Sequence, residues 1–220
     1  MLAACAGPAI AAPPVPATAF SSVALGPLVS TTGIGGELAV PLVGRLLNLN
    51  VGVTAFGYKL NTTVDGAALQ AKLRLGAVPV YVTLYPFANW FNIQAGVVFD
   101  DNRVSALASG PPGGTITINH VAYTTPQLGN VNGATHFNPV APYVGIGFGQ
   151  PFAGGPLTFT ASAGVMFEGA PGVQLRASNP AAYAIPGFSS NLAAEQSTIN
   201  HDAQIAQFYP VVNLAVVYRF

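Results

Sequence analysis

The chain has 220 residues, of which 51% are hydrophobic and only 6% charged, with seven basic residues balanced by seven acidic ones. A typical soluble domain is about a quarter charged, and zero net charge leaves no electrostatic case for nucleic acid or for an anionic surface. The 25 glycines and 19 prolines argue for short strands and turns, and the absence of an uninterrupted apolar run of about 20 residues excludes a spanning helix. Two solutions remain: a large soluble β-core, or a closed β-barrel in lipid.

Residues 1–17 are rich in Ala and Pro and carry no charge; the first charged residue is Glu37. Cys5 is the sole cysteine, so an internal disulfide is excluded. Leu2-Ala3-Ala4-Cys5 has the pattern of a lipoprotein processing box, and Ala9-Ile10-Ala11 that of a signal-peptidase site, without a basic segment or a full apolar segment. Residues 1–17 are therefore expected to be the remnant of an export signal or a disordered leader, and residues 18–220 the barrel.

The first predicted strand is Phe20–Val29, ended by a tight turn at Ser30-Thr31-Thr32. Ile34–Leu42 follows, with Ile34, Leu38, Val40 and Leu42 on one parity. After Val43-Gly44-Arg45, Leu47–Tyr58 alternates cleanly, with Leu47, Leu49, Val51 and Val53 against Asn48, Asn50, Gly52 and Thr54. Asn61–Gly66 is expected as a polar loop with an Asp65-Gly66 turn signal. Leu69–Tyr85 is a fourth strand, with Leu69, Ala71, Leu73, Leu75 and Ala77 opposed to Gln70, Lys72, Arg74 and Gly76, and a bulge is expected at Pro79. Phe91–Phe99 resumes the alternation after a turn at residues 86–89.

Residues 107–135 turn to Gly, Pro, Thr and Asn, and read as a long loop with a small hairpin near Thr115–Tyr123. His136–Gly149 is the sixth strand, and Leu157–Glu168, extending towards Arg176, is the seventh. Residues 178–207 form a second long insertion, in which Leu192–Ala206 lacks Pro and Gly and predicts a short helix. The last strand is Phe208–Phe220, with Val212, Leu214, Val216, Tyr218 and Phe220 on one apolar parity. Its expected partner is the first strand, which would remove both sheet edges.

The count is eight strands, each long enough for the ~9–11 residues that cross a bilayer at a tilt. Short connections near residues 43–46, 86–89 and 150–156 alternate with variable or long ones, as in outer-membrane barrels. Glu37, Lys72, Arg74 and Glu168 all lie on the less greasy parity, so they are expected in the lumen, paired with one another or with water. Tyr85, Phe87, Trp90 and Phe91 at one turn, with Tyr218 and Phe220, suit an aromatic girdle. The fold class is thus an all-β, eight-stranded antiparallel up-and-down transmembrane β-barrel.

The closing Val216-Val217-Tyr218-Arg219-Phe220 resembles the C-terminal signal read by the bacterial barrel-assembly machinery, in which Leu214, Val216, Tyr218 and Phe220 carry the pattern. Ala141-Pro142-Tyr143-Val144-Gly145-Ile146-Gly147-Phe148-Gly149 resembles a strand of small outer-membrane barrels. About residues 20–220 are similar to that class, which includes outer membrane protein W and the membrane domain of outer membrane protein A. The resemblance implies a bacterial outer-membrane location and contact with outer-membrane lipid, but fold alone does not carry an activity.

His120, His136 and His201 all fall in or beside the long connections, where Glu168 and Glu195 could approach them, but no local spacing predicts a His–Ser–acid set or a metal site. The expectation is no catalytic residue, metal or cofactor. The function read here is structural or interactive, through an external ligand at loops 107–135 and 178–207. A porin-like narrow channel or binder of small hydrophobic molecules, a lipid-modifying enzyme, and a secreted β-sandwich remain as alternatives.

Overall fold

The computed structural model describes residues 22–64 and 67–220. Leader residues 1–17, Phe20 at the expected start of the first strand, and the Asp65-Gly66 turn lie outside the described residues. In chain order the strands are β1 (Ala24–Ser30), β2 (Gly33–Val43), β3 (Leu47–Val64), β4 (Ala67–Leu84), β5 (Phe91–Asp100), β6 (Arg103–Ser109), β7 (Thr115–Ile118) and β8 (Val121–Thr124). A helical turn, α1 (Thr125–Leu128), leads to β9 (Asn130–His136), β10 (Val140–Phe148), β11 (Leu157–Phe167) and β12 (Gly172–Ala177). Helix α2 (Phe188–Asp202) precedes the final strand, β13 (Phe208–Arg219).

Eight of these strands close into an antiparallel ring, β1-β2-β3-β4-β5-β10-β11-β13, with β13 returning to β1 through pairs such as Leu25 with Tyr218 and Val29 with Leu214. Closure satisfies the backbone of every ring strand on both sides, so the ring has no edge. The two-residue period sets its faces. Val53, Val82, Ile93, Val97, Val144, Ile146, Phe159 and Leu214 point outward and exposed, while Asn50, Thr54, Tyr81, Thr83, Asn92, Gln94, Tyr143 and Asn213 are buried inside. The outward row on β5 runs from Phe91 to Phe99, about 27 Å along the strand and roughly 20 Å along the axis at a usual tilt, close to the apolar band of a membrane barrel.

The wall does not stop at the ring. β4 pairs with β5 and then with β6 in one unbroken register, Ala77 with Asp100 and Arg74 with Arg103. β9 and β12 likewise continue upward from β10 and β11, so β3, β4, β6, β9 and β12 form a five-stranded sheet rising from one side of the ring. The expected loop 107–135 is therefore mostly ordered sheet, with the small hairpin, β7–β8, between its flanks. The sixth strand begins at Val140 rather than His136, the stretch towards Arg176 is the separate strand β12, and residues 61–64, expected in a loop, extend β3. These pieces escape sequence reading because Asn130–His136 alternates weakly and takes its register from distant chain.

Helix α2 begins four residues before the predicted one and ends at Asp202. Phe188 and Leu192, one turn apart, anchor it in a cap cluster with Ile116, Ile118, Tyr123 and Leu128, packed over Val131, Leu175 and Ala177. Its polar face protects the sheet edge. Asn200 Oδ1 accepts from the Val173 backbone N–H at 2.7 Å, and Gln196 Oε1 from that of Leu175 at 3.1 Å.

Three local expectations are corrected. No bulge forms at Pro79: the β3–β4 ladder skips Pro79 and Val78 but resumes in the same register, Val51 with Val80 and Thr54 with Ala77, and Gly52 opposite leaves room for the proline ring; the register shift falls between Pro41 and Val43. Tyr85 is buried in the interior, not in the girdle, whereas Trp90 and Phe87 are exposed and Trp90 stacks on Phe148 at 5.1 Å. Ala77 faces inward, so the apolar parity of Leu69–Leu75 belongs to the inner side of the rising sheet. The sheet's amphipathic sense reverses where it leaves the ring.

Candidate functional site

The interior is the first candidate, because its polar side chains converge from many strands. Asn50 on β3 donates from Nδ2 to Glu37 Oε1 on β2 and accepts from Thr83 Oγ1 on β4 at 2.8 Å. Across the ring, Tyr143 OH donates to Gln94 Oε1 at 3.1 Å, Gln94 Nε2 to Asn92 Oδ1 at 3.2 Å, and Asn92 Nδ2 to the Gly149 carbonyl at 3.3 Å. Asn213 Nδ2 donates to Ser162 Oγ at 3.2 Å. Such groups must find partners once removed from water, and linked networks hold one arrangement.

The interior glycines leave space, and tyrosines fill it. A Cβ on Gly164 would lie 2.7 Å from the Tyr143 hydroxyl, and one on Gly145 2.5 Å from it; a Cβ on Gly96 would lie 2.7 Å from the Tyr81 Cβ. At the end carrying the short turns, residues 149–156 fold inward. Gln150 Nε2 donates to the Arg45 carbonyl at 2.7 Å, and Phe152 inserts among Ala24, Leu28, Ala39, Ala215 and Val217. Two cavities between these groups, among the described residues, measure about 10 Å³ each, about what a single water needs.

The opposite mouth holds two acids. Asn102 donates its backbone N–H to Asp100 Oδ1 at 3.0 Å and its Nδ2 to Glu168 Oε1 at 3.1 Å, while Asp100 Oδ2 has no partner among the described residues. Burial raises the Glu168 carboxyl above its ordinary range, and the neighbouring Asp100 charge raises it further.

Of the four charges expected to meet in the lumen, Glu37 and Glu168 are buried inside the structure, at different levels, each partnered by an asparagine. Lys72 and Arg74 are not there. They lie exposed on the outward face of the rising sheet, because the inward parity of β4 is that of Ala77, Tyr81 and Thr83. Among the described residues the one ion pair is Arg103 with Asp101, at 2.6 Å on the surface. Leu214, Val216, Tyr218 and Phe220 form an exposed outward row on and just beyond β13. His120, His136 and His201 sit on the β7–β8 turn, the end of β9 and α2, and Glu195 instead accepts the Asn119 backbone N–H at 2.9 Å. Among the described residues no three His, Cys, Asp or Glu side chains gather as a metal site.

Sequence reasoning missed Asp100, Tyr81, Tyr143 and Phe152. Asp100 shares the parity of Asn92 and Gln94, which is the signal that could have placed it inside. Phe152 offers none, since a turn residue has no strand parity.

The closed ring with an apolar outside and a polar, filled inside decides the architecture. This chain has the fold of an outer-membrane β-barrel protein. Its structure is similar to that of CarO2 from Acinetobacter baumannii, with a TM-score of 0.57 and 19% identity, covering 90% of this chain and 98% of that one. CarO from the same organism aligns with a TM-score of 0.55 and 18% identity, covering 90% and 97%. No protein-family model matches the barrel chain, and no curated protein matches it in sequence.

Proposed function

We propose that this protein is a sealed barrel of the bacterial outer membrane, with a structural and surface-interaction role, whose working surface is the sheet and cap above the ring. The observation that carries the reading is the filled interior: the tyrosines occupy the glycine gaps, Phe152 closes one end, and two cavities among the described residues hold only about 10 Å³ each. A conducting barrel needs a continuous aqueous path, and eight strands give an interior that side chains can fill.

The short turns face the periplasm and the rising sheet faces outside, the arrangement usual for such barrels. The exposed row Leu214, Val216, Tyr218 and Phe220 supports recognition of the last strand by the barrel-assembly machinery. Ordered segments within 107–135 and 178–207, rather than slack loops, would present the contact surface for an external ligand. Reconstitution into planar bilayers tests the sealed reading. The wild-type protein is expected to pass no reproducible ion steps; steps of constant size would refute it and favour a narrow channel.

A further inference from the structure

The chain's charges cancel overall but are not mixed in space. Lys59, Lys72, Arg74, Arg103 and Arg176, five of the seven lysines and arginines, stand exposed on the outward parity of the rising sheet. Among the described acids, only Asp101 shares that face, where it pairs with Arg103. The zero net charge that disfavoured anionic surfaces at the level of composition hides this segregation.

The pairing makes the arrangement costly. Lys59 lies directly opposite Lys72, and Arg74 directly opposite Arg103, in adjoining strand pairs. Like charges placed directly across a sheet destabilise it. Asp101 offsets Arg103, but Lys59, Lys72 and Arg74 meet no acid among the described residues, and these three call for a counter-charge from outside the chain. The same face is concave. Lys59 and Lys72, with Asn61, Gln70, Ser105 and Asn132, line a depression of about 460 Å³ whose remaining lining is alanine, glycine and Leu107, so two ammonium groups stand beside amide and hydroxyl donors over a small-residue floor. That chemistry matches phosphate attached to a hydroxyl-rich sugar.

Position selects the source. The outward parity is continuous with the apolar wall: Arg74 lies four residues beyond Val78, about 13 Å along the strand and roughly 10 Å along the axis at a usual tilt. This is the level at which headgroups lie above the hydrocarbon. We infer that the outward face of the rising sheet binds the phosphorylated saccharide headgroup of an outer-leaflet glycolipid, with Lys59, Lys72 and Arg74 as its anion contacts. The inference rests on the outer-membrane reading above.

The test uses the full chain with rough-form lipopolysaccharide in phosphatidylcholine vesicles, beside the same lipopolysaccharide dephosphorylated. Each basic group near an anionic surface contributes about a fivefold factor, so Lys59→Gln/Lys72→Gln/Arg74→Gln is expected to bind the phosphorylated form on the order of 100-fold more weakly. Binding by the wild type should fall with added salt. Arg45→Gln, at the opposite end, should bind as the wild type does. A heat-dependent shift on gels confirms that each variant is folded.

Equal binding by the triple variant, or equal binding of dephosphorylated lipid, overturns the inference. Full displacement by millimolar inorganic phosphate also overturns it, by making the site one for free phosphate. Flotation of the wild type with pure phosphatidylcholine vesicles separates the two readings. Flotation without phosphate preference sinks only the glycolipid site, whereas no flotation sinks the membrane location beneath it.

Discussion

Replacing Tyr143 tests whether the interior is sealed by packing. Its ring lies over Gly145 and Gly164, and its hydroxyl donates to Gln94 Oε1. Truncating a buried aromatic side chain to alanine costs about 3–5 kcal/mol, largely because the neighbours cannot collapse into the void. The glycines on both flanks have no side chains to move in, which places Tyr143→Ala near the upper end, at about 4–5 kcal/mol. Tyr143→Phe keeps the ring and leaves the Gln94 acceptor unpaired, a loss of about 1–2 kcal/mol. Urea unfolding in phospholipid vesicles can follow Trp90, the sole tryptophan, which sits exposed at the short-turn rim and reports membrane insertion. In planar bilayers, Tyr143→Ala should admit transient small currents that Tyr143→Phe does not. If the two variants lose equal stability and both stay silent, the ring is not what fills the space and the packing argument fails.

Three further outcomes are expected. Ile146→Arg, in the middle of the outward face of β10, should destabilise the protein in lipid by roughly 2–4 kcal/mol, while Gln174→Arg, exposed on the rising sheet opposite Ala134, should change stability little; equal effects would mean that the two faces share one solvent. Burial holds a proton on Glu168 above its ordinary 4.5, so the folded chain keeps a proton that the unfolded chain releases. Stability should therefore fall as the pH rises from that value towards neutrality, and Glu168→Gln should flatten the slope measured by urea midpoints; an unchanged slope would show that Glu168 is not the titrating group. Phe152→Ala removes the closure at the short-turn end and should cost about 3 kcal/mol, read as a lower gel-shift temperature; no change would place the plug elsewhere.

Most of the ring was legible because burial of one strand face imposes a two-residue period on each strand separately. Leu47–Val53, Phe91–Phe99 and Val212–Phe220 show their outward rows without reference to any partner. Legibility ended where the environment of a face changed along one strand. Along β4 the apolar residues switch parity, from Leu69–Ala77 on odd positions, facing inward above the ring, to Val78–Leu84 on even positions, facing outward within it. Read locally, that pattern put Lys72 and Arg74 with Glu37 and Glu168; the structure puts them on the opposite surface of the sheet.

The sequence by itself determined the class of the protein, the number of ring strands and the closing role of the last one, since these follow from periodicity, composition and connection length. Only the tertiary structure decided which polar groups meet. Asn50 reaches Glu37, and Tyr143 reaches Gln94, across strands whose relative register is absent from local sequence. The same register sets Lys59 beside Lys72 and Arg74 beside Arg103, turning scattered charges in a neutral chain into one basic face. Alternation is a local consequence of burial; adjacency across a sheet is a property of the folded whole.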